Sequence, residues 1–411
     1  MSEHQTYMAM ALGIAFDQMG STSPNPAVGA VIVKNDTVIS MGGTRPCGSD
    51  HAEVVALKSA REWSAKTGNS IDGAFMYVSL EPCNHHGKTP PCTEAIIASG
   101  IKRVYLAMLD PNPLVAGKGV KRLKDAGIDV VLMHEYTAQA ADLLRPFKKY
   151  ILRKRPYILN KSAITLDGRI AADTGSSQWI SSEHSRFITH RLRARVDAII
   201  VGKNTYLNDN PSLNVRLESF SDEVTEYFKG KIPFFGRRNI FLEGLVEREP
   251  DNIVQPLRVL IGLPEEIDET KKFFTDGNYI IIERKDVYES MAEKGGERSR
   301  LLEKLNIETV DCHDYLDMVD GVLQVLYDRG VMLAMLEGGG TLNGSFLDAG
   351  AIDQFLYIIA PKVLGSGLPV MRGREKSRIA DSLMLHDISG MIIKNDIFYN
   401  GYRESYNFEM M

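Results

Sequence analysis

Residues 81–92 read Glu81-Pro82-Cys83-Asn84-His85-His86-Gly87-Lys88-Thr89-Pro90-Pro91-Cys92, and His51-Ala52-Glu53 stands upstream of them. One imidazole and two thiolates form a donor set that suits zinc, and three protein ligands leave a fourth position for water. The pattern places His51 at the start of a helix, with the two cysteines beyond the end of a strand. Glu53, two positions after the histidine, then leans over the open position. Two plainer readings compete. His51 can be a polar residue at a helix start with the cysteines packed in the core. Alternatively the site is a closed structural one, with Cys47, His85 or His86 as fourth ligand. Glu53 weighs against the closed site, which needs no acid or base.

A His-x-Glu joined to Pro-Cys-x-x-Cys is the signature of zinc nucleobase deaminases, in which the glutamate moves protons and does not bind metal. Here the second cysteine comes later, with eight residues between Cys83 and Cys92. Replacing a ring amine by oxygen needs an activated water and a carboxylate to carry protons to the ring nitrogen and the leaving amine. His51, Cys83 and Cys92 are therefore the candidate metal ligands and Glu53 the candidate acid/base.

Outward from this site, the first 145 residues alternate strands and helices. Ala27–Val33 and Thr37–Ser40 flank a hairpin signal, and His51–Ala65 reads as a helix. Ala74–Leu80, Arg103–Met108 and Ile128–Met133 read as strands. Their continuous apolar character argues for a sheet covered on both faces. The basic run at 145–156, RPFKKYILRKRP, reads as a solvated interdomain connector with an apolar stripe of Phe147, Tyr150 and Ile151. The expected domains are 1–146 and 147–411.

The chain of 411 residues has 48 Lys and Arg against 53 Asp and Glu, a net charge of −5. That balance argues against a nucleic-acid or membrane-surface binder, each of which needs a basic face. The first twenty residues read as an amphipathic helix and lack the basic start of a signal peptide. Four cysteines, at 47, 83, 92 and 312, make no disulfide framework and fit a reducing, cytoplasmic compartment.

The second half begins a new alternating series. Tyr157–Ala163, Ala198–Val201, Arg258–Ile261, Tyr279–Ile282, Val331–Leu336 and Phe355–Ala360 read as strands. Glu183–Arg195, Arg298–Leu305 and Tyr315–Asp328 read as helices, and 217–251 reads as a surface excursion. No Gly-x-Gly-x-x-Gly follows a strand. Glu337-Gly338-Gly339-Gly340 does follow one and opens a helix, an arrangement in which backbone N–H groups close on phosphate.

The segments EPCNHHGKTPPC, HAE and SPNPAVGAVIV together resemble the pyrimidine deaminase half of the RibD family of bifunctional riboflavin-biosynthesis enzymes. The second half is similar to that family's reductase half through NKSAITLDGR at 160–169, SQWI at 177–180 and NDNPSLNVR at 208–216. The resemblance implies an α/β fold class: an N-terminal cytidine-deaminase-like α/β/α domain and a C-terminal dihydrofolate-reductase-like α/β domain. It implies zinc and NADPH as cofactors. It also implies two consecutive reactions: hydrolytic deamination of 2,5-diamino-6-(5-phosphoribosylamino)pyrimidin-4(3H)-one, then reduction of the ribosyl to the ribityl side chain.

Carried over by motif, Asn25 and Lys88 hold the deaminase substrate. Ser177, Arg193, Leu213, Arg216 and Glu337 hold the phosphoribosyl substrate of the reductase. Ala163, Trp179, Thr205, Asp209 and the Gly339, Gly340, Thr341, Leu342, Asn343, Gly344, Ser345 turn contact NADPH. Lys161 and Asp209 are the candidates for proton management, against a plain Lys–Asp salt bridge. The expected partners are small phosphoribosylaminopyrimidines and further copies of the chain, as a dimer or tetramer. Two departures stand out. Where many members carry a histidine seven residues before the ligand His, this chain has Thr44. After the strand Arg258–Ile261, where members show an acidic or polar residue, it has Gly262-Leu263. The alternatives are a zinc deaminase of another nucleotide with a drifted reductase-like domain, and a zinc-stabilised nucleotide-binding protein without catalysis.

Overall fold

The computed structural model describes residues 3–87, 90–113, 115–229, 231–236, 239–243, 253–293 and 295–405. Lys88 and part of the 217–251 stretch lie outside the described residues.

The first half carries α1 (Glu3–Gln18), β1 (Gly29–Lys34), β2 (Thr37–Gly43), α2 (Ala52–Thr67), β3 (Phe75–Val78), α3 (Cys92–Ile97), β4 (Arg103–Leu106), α4 (Lys118–Asp125), β5 (Asp129–Leu132), α5 (His134–Leu143) and α6 (Arg145–Arg153). Its five strands run in the order β2-β1-β3-β4-β5. Helices α1 and α5 pack together on the side opposite α2, α3 and α4. Two glycines let the helices lie close to the sheet. A Cβ on Gly29 would stand 2.1 Å from the Ala11 carbonyl of α1, and one on Gly42 would stand 2.4 Å from the Ala56 nitrogen of α2. This close approach of α2 to β2 fixes where its first residues, and hence the metal ligands, sit.

The second half carries β6 (Tyr157–Thr165), β7 (Arg169–Ala171), α7 (Glu183–Arg193), β8 (Ala198–Gly202), α8 (Lys203–Asp209), α9 (Asp222–Phe228), β9 (Lys231–Phe235), β10 (Asn239–Glu243), β11 (Leu257–Ile261), β12 (Tyr279–Arg284), α10 (Lys285–Ala292), α11 (Gly296–Lys304), β13 (Ile307–Val310), α12 (Tyr315–Asp328), β14 (Leu333–Leu336), α13 (Gly340–Asp348), β15 (Gln354–Ala360), β16 (Leu368–Pro369), β17 (His386–Ile393) and β18 (Asp396–Tyr402). Nine strands form one sheet in the order β13-β12-β11-β8-β14-β6-β15-β18-β17. The run from β13 to β15 is parallel, and β18 and β17 close it as an antiparallel meander. Alternate residues feed two cores: Ile199 and Val201 enter one, Ala198 and Ile200 the other. Strands buried on both faces are what the uninterrupted apolar runs require. Because the central strands are parallel, their carboxyl ends share one edge, where ligands bind in such sheets.

Two expectations change. The 217–251 stretch is not simply a surface excursion, because α9 buries Val224 and Phe228 in the second-half core at 1% exposure each. The basic run at 145–156 is helical over α6 rather than a solvated connector. Arg145 is buried against Asp142 and Asp387, at 3.0 Å from each, with its guanidinium over the Tyr402 ring. The halves meet along a polar seam that also includes Lys149–Asp353 at 2.7 Å and Arg195–Asp17 at 3.0 Å. Among the described residues no helix is long and apolar enough to cross a membrane.

Candidate active sites

His51 is the residue before α2, in extended backbone, so its imidazole projects clear of the helix end. Cys92 opens α3 behind Pro91, and Cys83 lies in the loop after β3. The Cys92 N–H donates to Cys83 Sγ at 3.4 Å and the Thr93 N–H to the Cys83 carbonyl at 3.2 Å, which pins the two cysteines together. His51 Nδ1 is 3.6 Å from Cys83 Sγ and 3.3 Å from Cys92 Sγ, and all three donors lie within 4.8 Å of one another. A tetrahedral zinc with Zn–N of about 2.0–2.1 Å and Zn–S of about 2.3 Å sets its ligand atoms roughly 3.5–3.8 Å apart. The three groups therefore fit zinc. Cys47, His85 and His86 do not join the cluster, so among the described residues nothing closes the fourth position.

Cys83 is held down to about 4, chiefly by the hydrogen bond from Cys92. Cys92, the donor of that bond, is pushed up by it. A bound dication displaces the Cys92 proton, because thiolate is the ligand. Glu53, in the first turn of α2, is 3% exposed, and burial first, then the Cys83 charge, raises its carboxyl to about 7.

Asn25 is half-buried in a loop closed by its own N–H donating to the Thr22 carbonyl at 2.9 Å and by the Thr22 hydroxyl donating to the Asn25 carbonyl at 3.0 Å. Thr44 is buried and bonds three times to Val28: its N–H donates to the carbonyl at 3.0 Å, and its hydroxyl accepts from the N–H at 3.2 Å and donates to the carbonyl at 3.4 Å. In this chain Thr44 thus ties the end of β2 to the Asn25 loop. Sequence reasoning passed over Glu81. Its buried carboxylate accepts the N–H groups of Asp110 at 3.2 Å, Gly117 at 2.9 Å and Val120 at 3.0 Å. It anchors the 110–120 loop beside Pro82-Cys83. Nothing in Glu-Pro-Cys alone signals those distant partners.

The second site lies at the carboxyl edge of the large sheet. Lys161 on β6, Arg193 at the end of α7 and Glu337 after β14 come together there. Arg193 grips Glu337 with two nitrogens, at 2.8 and 3.0 Å, and Lys161 Nζ stands 3.8 Å from the same carboxylate. Burial opposes the charge on Glu337, but Arg193 and Lys161 outweigh it and hold the carboxyl down at about 2. Burial, and then the Arg193 charge, lower the Lys161 ammonium. Asp209 is exposed at the end of α8 and does not pair with Lys161, so the Lys161–Asp209 salt bridge is absent and Glu337 takes its place.

Arg216 bonds to the Asn214 side chain, and its N–H donates to His190 Nδ1 at 3.0 Å. Leu213 sits in the core at 3% exposure. Ser177 and Trp179 line a cleft with Thr165, Ala171 and Lys362. Trp179 is 60% exposed there, with the Arg186 guanidinium 4.3 Å from its ring centre. Ala163 lies on β6, the strand that also carries Thr165 into this cleft.

The glycine segment is only in part a turn. Gly339 caps α13, and Gly340, Thr341, Leu342, Asn343, Gly344 and Ser345 fall within the helix. The first N–H groups of a helix lack internal partners and point outward, which suits a pyrophosphate. A Cβ on Gly339 would meet nothing nearer than Thr205 Oγ1 at 3.9 Å, whereas one on Gly340 would stand 2.4 Å from the Pro369 carbonyl. Gly339 therefore keeps an open approach, and Gly340 serves packing.

Residues 1–108 match the family model described as the cytidine and deoxycytidylate deaminase zinc-binding region. Residues 156–395 match the RibD C-terminal domain. The riboflavin biosynthesis protein RibD of Aquifex aeolicus is 38% identical over 370 residues, 89% of each chain. The chain belongs to the RibD family. The Escherichia coli RibD is 35% identical, over 94% of this chain and 96% of its own. Among solved structures, a deaminase/reductase of the family from Thermotoga maritima is 30% identical, with a TM-score of 0.75 over 97% of this chain and 98% of that one. The Acinetobacter baumannii RibD is 31% identical, with a TM-score of 0.73 over the same shares. A RibD protein joins a zinc deaminase domain to a reductase domain, which accounts for two unlike sites on one chain.

Proposed function

We propose that the chain performs two consecutive steps of riboflavin biosynthesis. It hydrolyses the 2-amino group of 2,5-diamino-6-(5-phosphoribosylamino)pyrimidin-4(3H)-one, then reduces the ribosyl side chain of the product to ribityl. The observation that carries this reading is the open three-ligand cluster beside a buried carboxylate, in the same chain as the RibD reductase domain. The alternative of a drifted reductase-like domain has no support in the match to residues 156–395.

At the first site His51, Cys83 and Cys92 hold zinc, which supplies a water acidified toward neutrality. Glu53 would carry one proton of the attacking water to the ring nitrogen and the second to the departing amine, which leaves as ammonia while the water's oxygen stays on the ring. Asn25 and Lys88 orient the pyrimidine. At the second site NADPH supplies the hydride for C1′ of the sugar. Lys161, held beside Glu337 and with its proton loosened by burial, donates the proton that the opened ribosyl group needs. Ser177, Arg193, Leu213, Arg216 and Glu337 shape the phosphoribosyl pocket. Arg193 acts there from a fixed position, since both arms of its fork are engaged. Ala163, Trp179, Thr205, Asp209 and the Gly339–Ser345 segment line the cofactor path. Asp209 serves the cofactor rather than Lys161.

The enzyme works in the cytoplasm as a homo-oligomer. The apolar row of Ile388, Ile392 and Ile397, left 55%, 70% and 41% exposed on β17 and β18, supports self-association. The deciding experiment supplies the diaminopyrimidine substrate and NADPH, and follows ammonia release and NADPH oxidation with and without a zinc chelator. Chelation abolishes ammonia release, while NADPH oxidation on the deaminated intermediate continues. Ammonia release that persists in zinc-free protein refutes the reading.

A further inference from the structure

The large sheet has three glycines that follow strands at one edge: Gly202 ends β8, Gly262 follows β11 and Gly338 follows β14. A Cβ on Gly202 would lie 3.6 Å from Leu342 of α13, and one on Gly339 would lie 3.9 Å from Thr205 of α8, so the start of α8 borders the glycine segment. On the far side, β8 and β11 pair with Ile261 beside Gly202, which sets Gly262 beside Lys203. Gly262 has φ +88°, and a Cβ there would lie 3.5 Å from Lys203 Cδ and 3.8 Å from its Cβ and Cγ. The aliphatic stem of Lys203 thus runs over the one place where the strand end has no side chain.

Two nearby cations are otherwise engaged. Lys271 Nζ donates to the Tyr206 and Leu207 carbonyls at 3.1 Å each. Arg284 is paired with Asp286. The Arg372 side chain lies against Gly340, and its N–H donates to the Gly340 carbonyl at 2.8 Å, beside the glycine segment itself. Lys203 is exposed, and no described side chain pairs with its ammonium.

A dinucleotide with its nicotinamide at the β6 cleft of Thr165 and Trp179 and its pyrophosphate at the start of α13, as proposed above, would carry its adenosine ribose one step further, over β8 and β11. Neighbouring strands are about 4.8 Å apart, so that step is short. In sheets of the Gly-x-Gly-x-x-Gly kind, which this one is not, an acid binds the ribose 2′-hydroxyl of NAD. Here β11 is followed by Gly262-Leu263, with Leu263 buried. We propose that Lys203 reads the 2′-phosphate of NADPH and is the residue that sets this enzyme's preference for NADPH over NADH. The inference rests on the NADPH reading above. It replaces the polar residue expected after β11 by a lysine reaching across from the neighbouring strand. An ammonium on a flexible stem suits a phosphate approached as a point charge.

Calorimetric titration of the zinc-loaded full chain with NADPH, NADH and adenosine 2′,5′-bisphosphate tests it, with ammonia release as a check on folding. Lys203→Ala weakens NADPH and the bisphosphate about ten- to a hundred-fold, the range of a lost charge-assisted contact. It leaves NADH and ammonia release unchanged, and Lys203→Arg restores most of the preference. Arg372→Ala weakens NADPH and NADH alike. An unchanged NADPH-to-NADH ratio in Lys203→Ala overturns the proposal, and so does an equal loss for both coenzymes. A wild-type chain that binds neither coenzyme overturns the cofactor reading itself.

Discussion

Arg193 and Glu337 form a two-pronged ion pair at 2.8 and 3.0 Å, and both side chains are only 12% exposed. The pair joins the last turn of α7 to the loop after β14, so it holds two walls of the reductase site at a fixed separation. Removing one partner of a buried pair leaves the other charge uncompensated, at a cost of about 3–5 kcal/mol. Glu337→Gln strands both Arg193 and Lys161. The variant should lose reductase turnover and unfold at markedly lower urea concentration than wild type. Wild-type stability with unimpaired turnover would show that the pair is ornamental.

Glu53→Gln keeps the side-chain volume and removes the proton carrier. Ammonia release should fall about 10²- to 10⁴-fold, the usual loss for a general acid/base. Zinc content, read by atomic absorption, should stay at about one per chain, because Glu53 is not a ligand. NADPH oxidation on the deaminated intermediate should be unaffected. Loss of zinc together with activity would instead make Glu53 part of the metal's holding set.

Gly339 and Gly340 are neighbours with different duties, and substitution separates them. Gly339→Val adds bulk into the open approach to α13. It should raise the KM for NADPH, with unchanged thermal stability and ammonia release. Gly340→Ala drives a methyl into the Pro369 carbonyl, 2.4 Å from the ideal Cβ position. It should lower the melting temperature whether or not cofactor is added. Identical behaviour of the two variants, by differential scanning calorimetry and NADPH titration, counts against this division.

His190 carries a pH dependence. Burial, followed by the Arg193 and Arg216 charges, lowers its imidazole to about 3. The unfolded chain has the ordinary value of about 6.5. Between those values the unfolded state binds a proton that the native state refuses. Stability from this group is therefore complete above pH about 6.5 and drains away as pH falls toward 3, by up to about 1.4 kcal/mol per pH unit. His190→Asn keeps an acceptor for the Arg216 N–H and removes the titration. Urea midpoints at pH 7 and pH 5.5 should lie closer together in the variant. An equal spread in the two proteins assigns the acid sensitivity elsewhere.

The metal centre was legible in the sequence because its chemistry restricts residue type at three positions close along the chain. The helix Tyr315–Asp328 was legible for a similar reason: its apolar period and the Asp314 cap are local. What escaped depends on distant partners. Arg145 reads as one more basic residue in a basic run, yet it is buried by Asp387, 242 positions away. The Glu81 nest needs N–H groups from 110–120, which no motif announces. Helix α8 spans seven polar-rich residues, too short for a period to show. The β17–β18 meander escaped because one face of β17 stays exposed, so its apolar pattern does not resemble a buried strand. Val224 and Phe228 escaped because the charged residues around them conceal two inward positions.

Arg195 lies two residues past Arg193, in the turn that ends α7. It reaches the other way, to Asp17 at the end of α1 and over the Phe16 ring. Dividing the gene between α6 and β6, near codon 155, would strip Arg195 of Asp17, Asp353 of Lys149 and Asp387 of Arg145, leaving raw charged faces where a sealed joint had been. Two separately expressed fragments should therefore each unfold more readily in urea than the whole chain, and associate when mixed, more weakly as salt rises. For this enzyme, fusion into one polypeptide is a solution to a surface problem as much as a way to keep two activities in step.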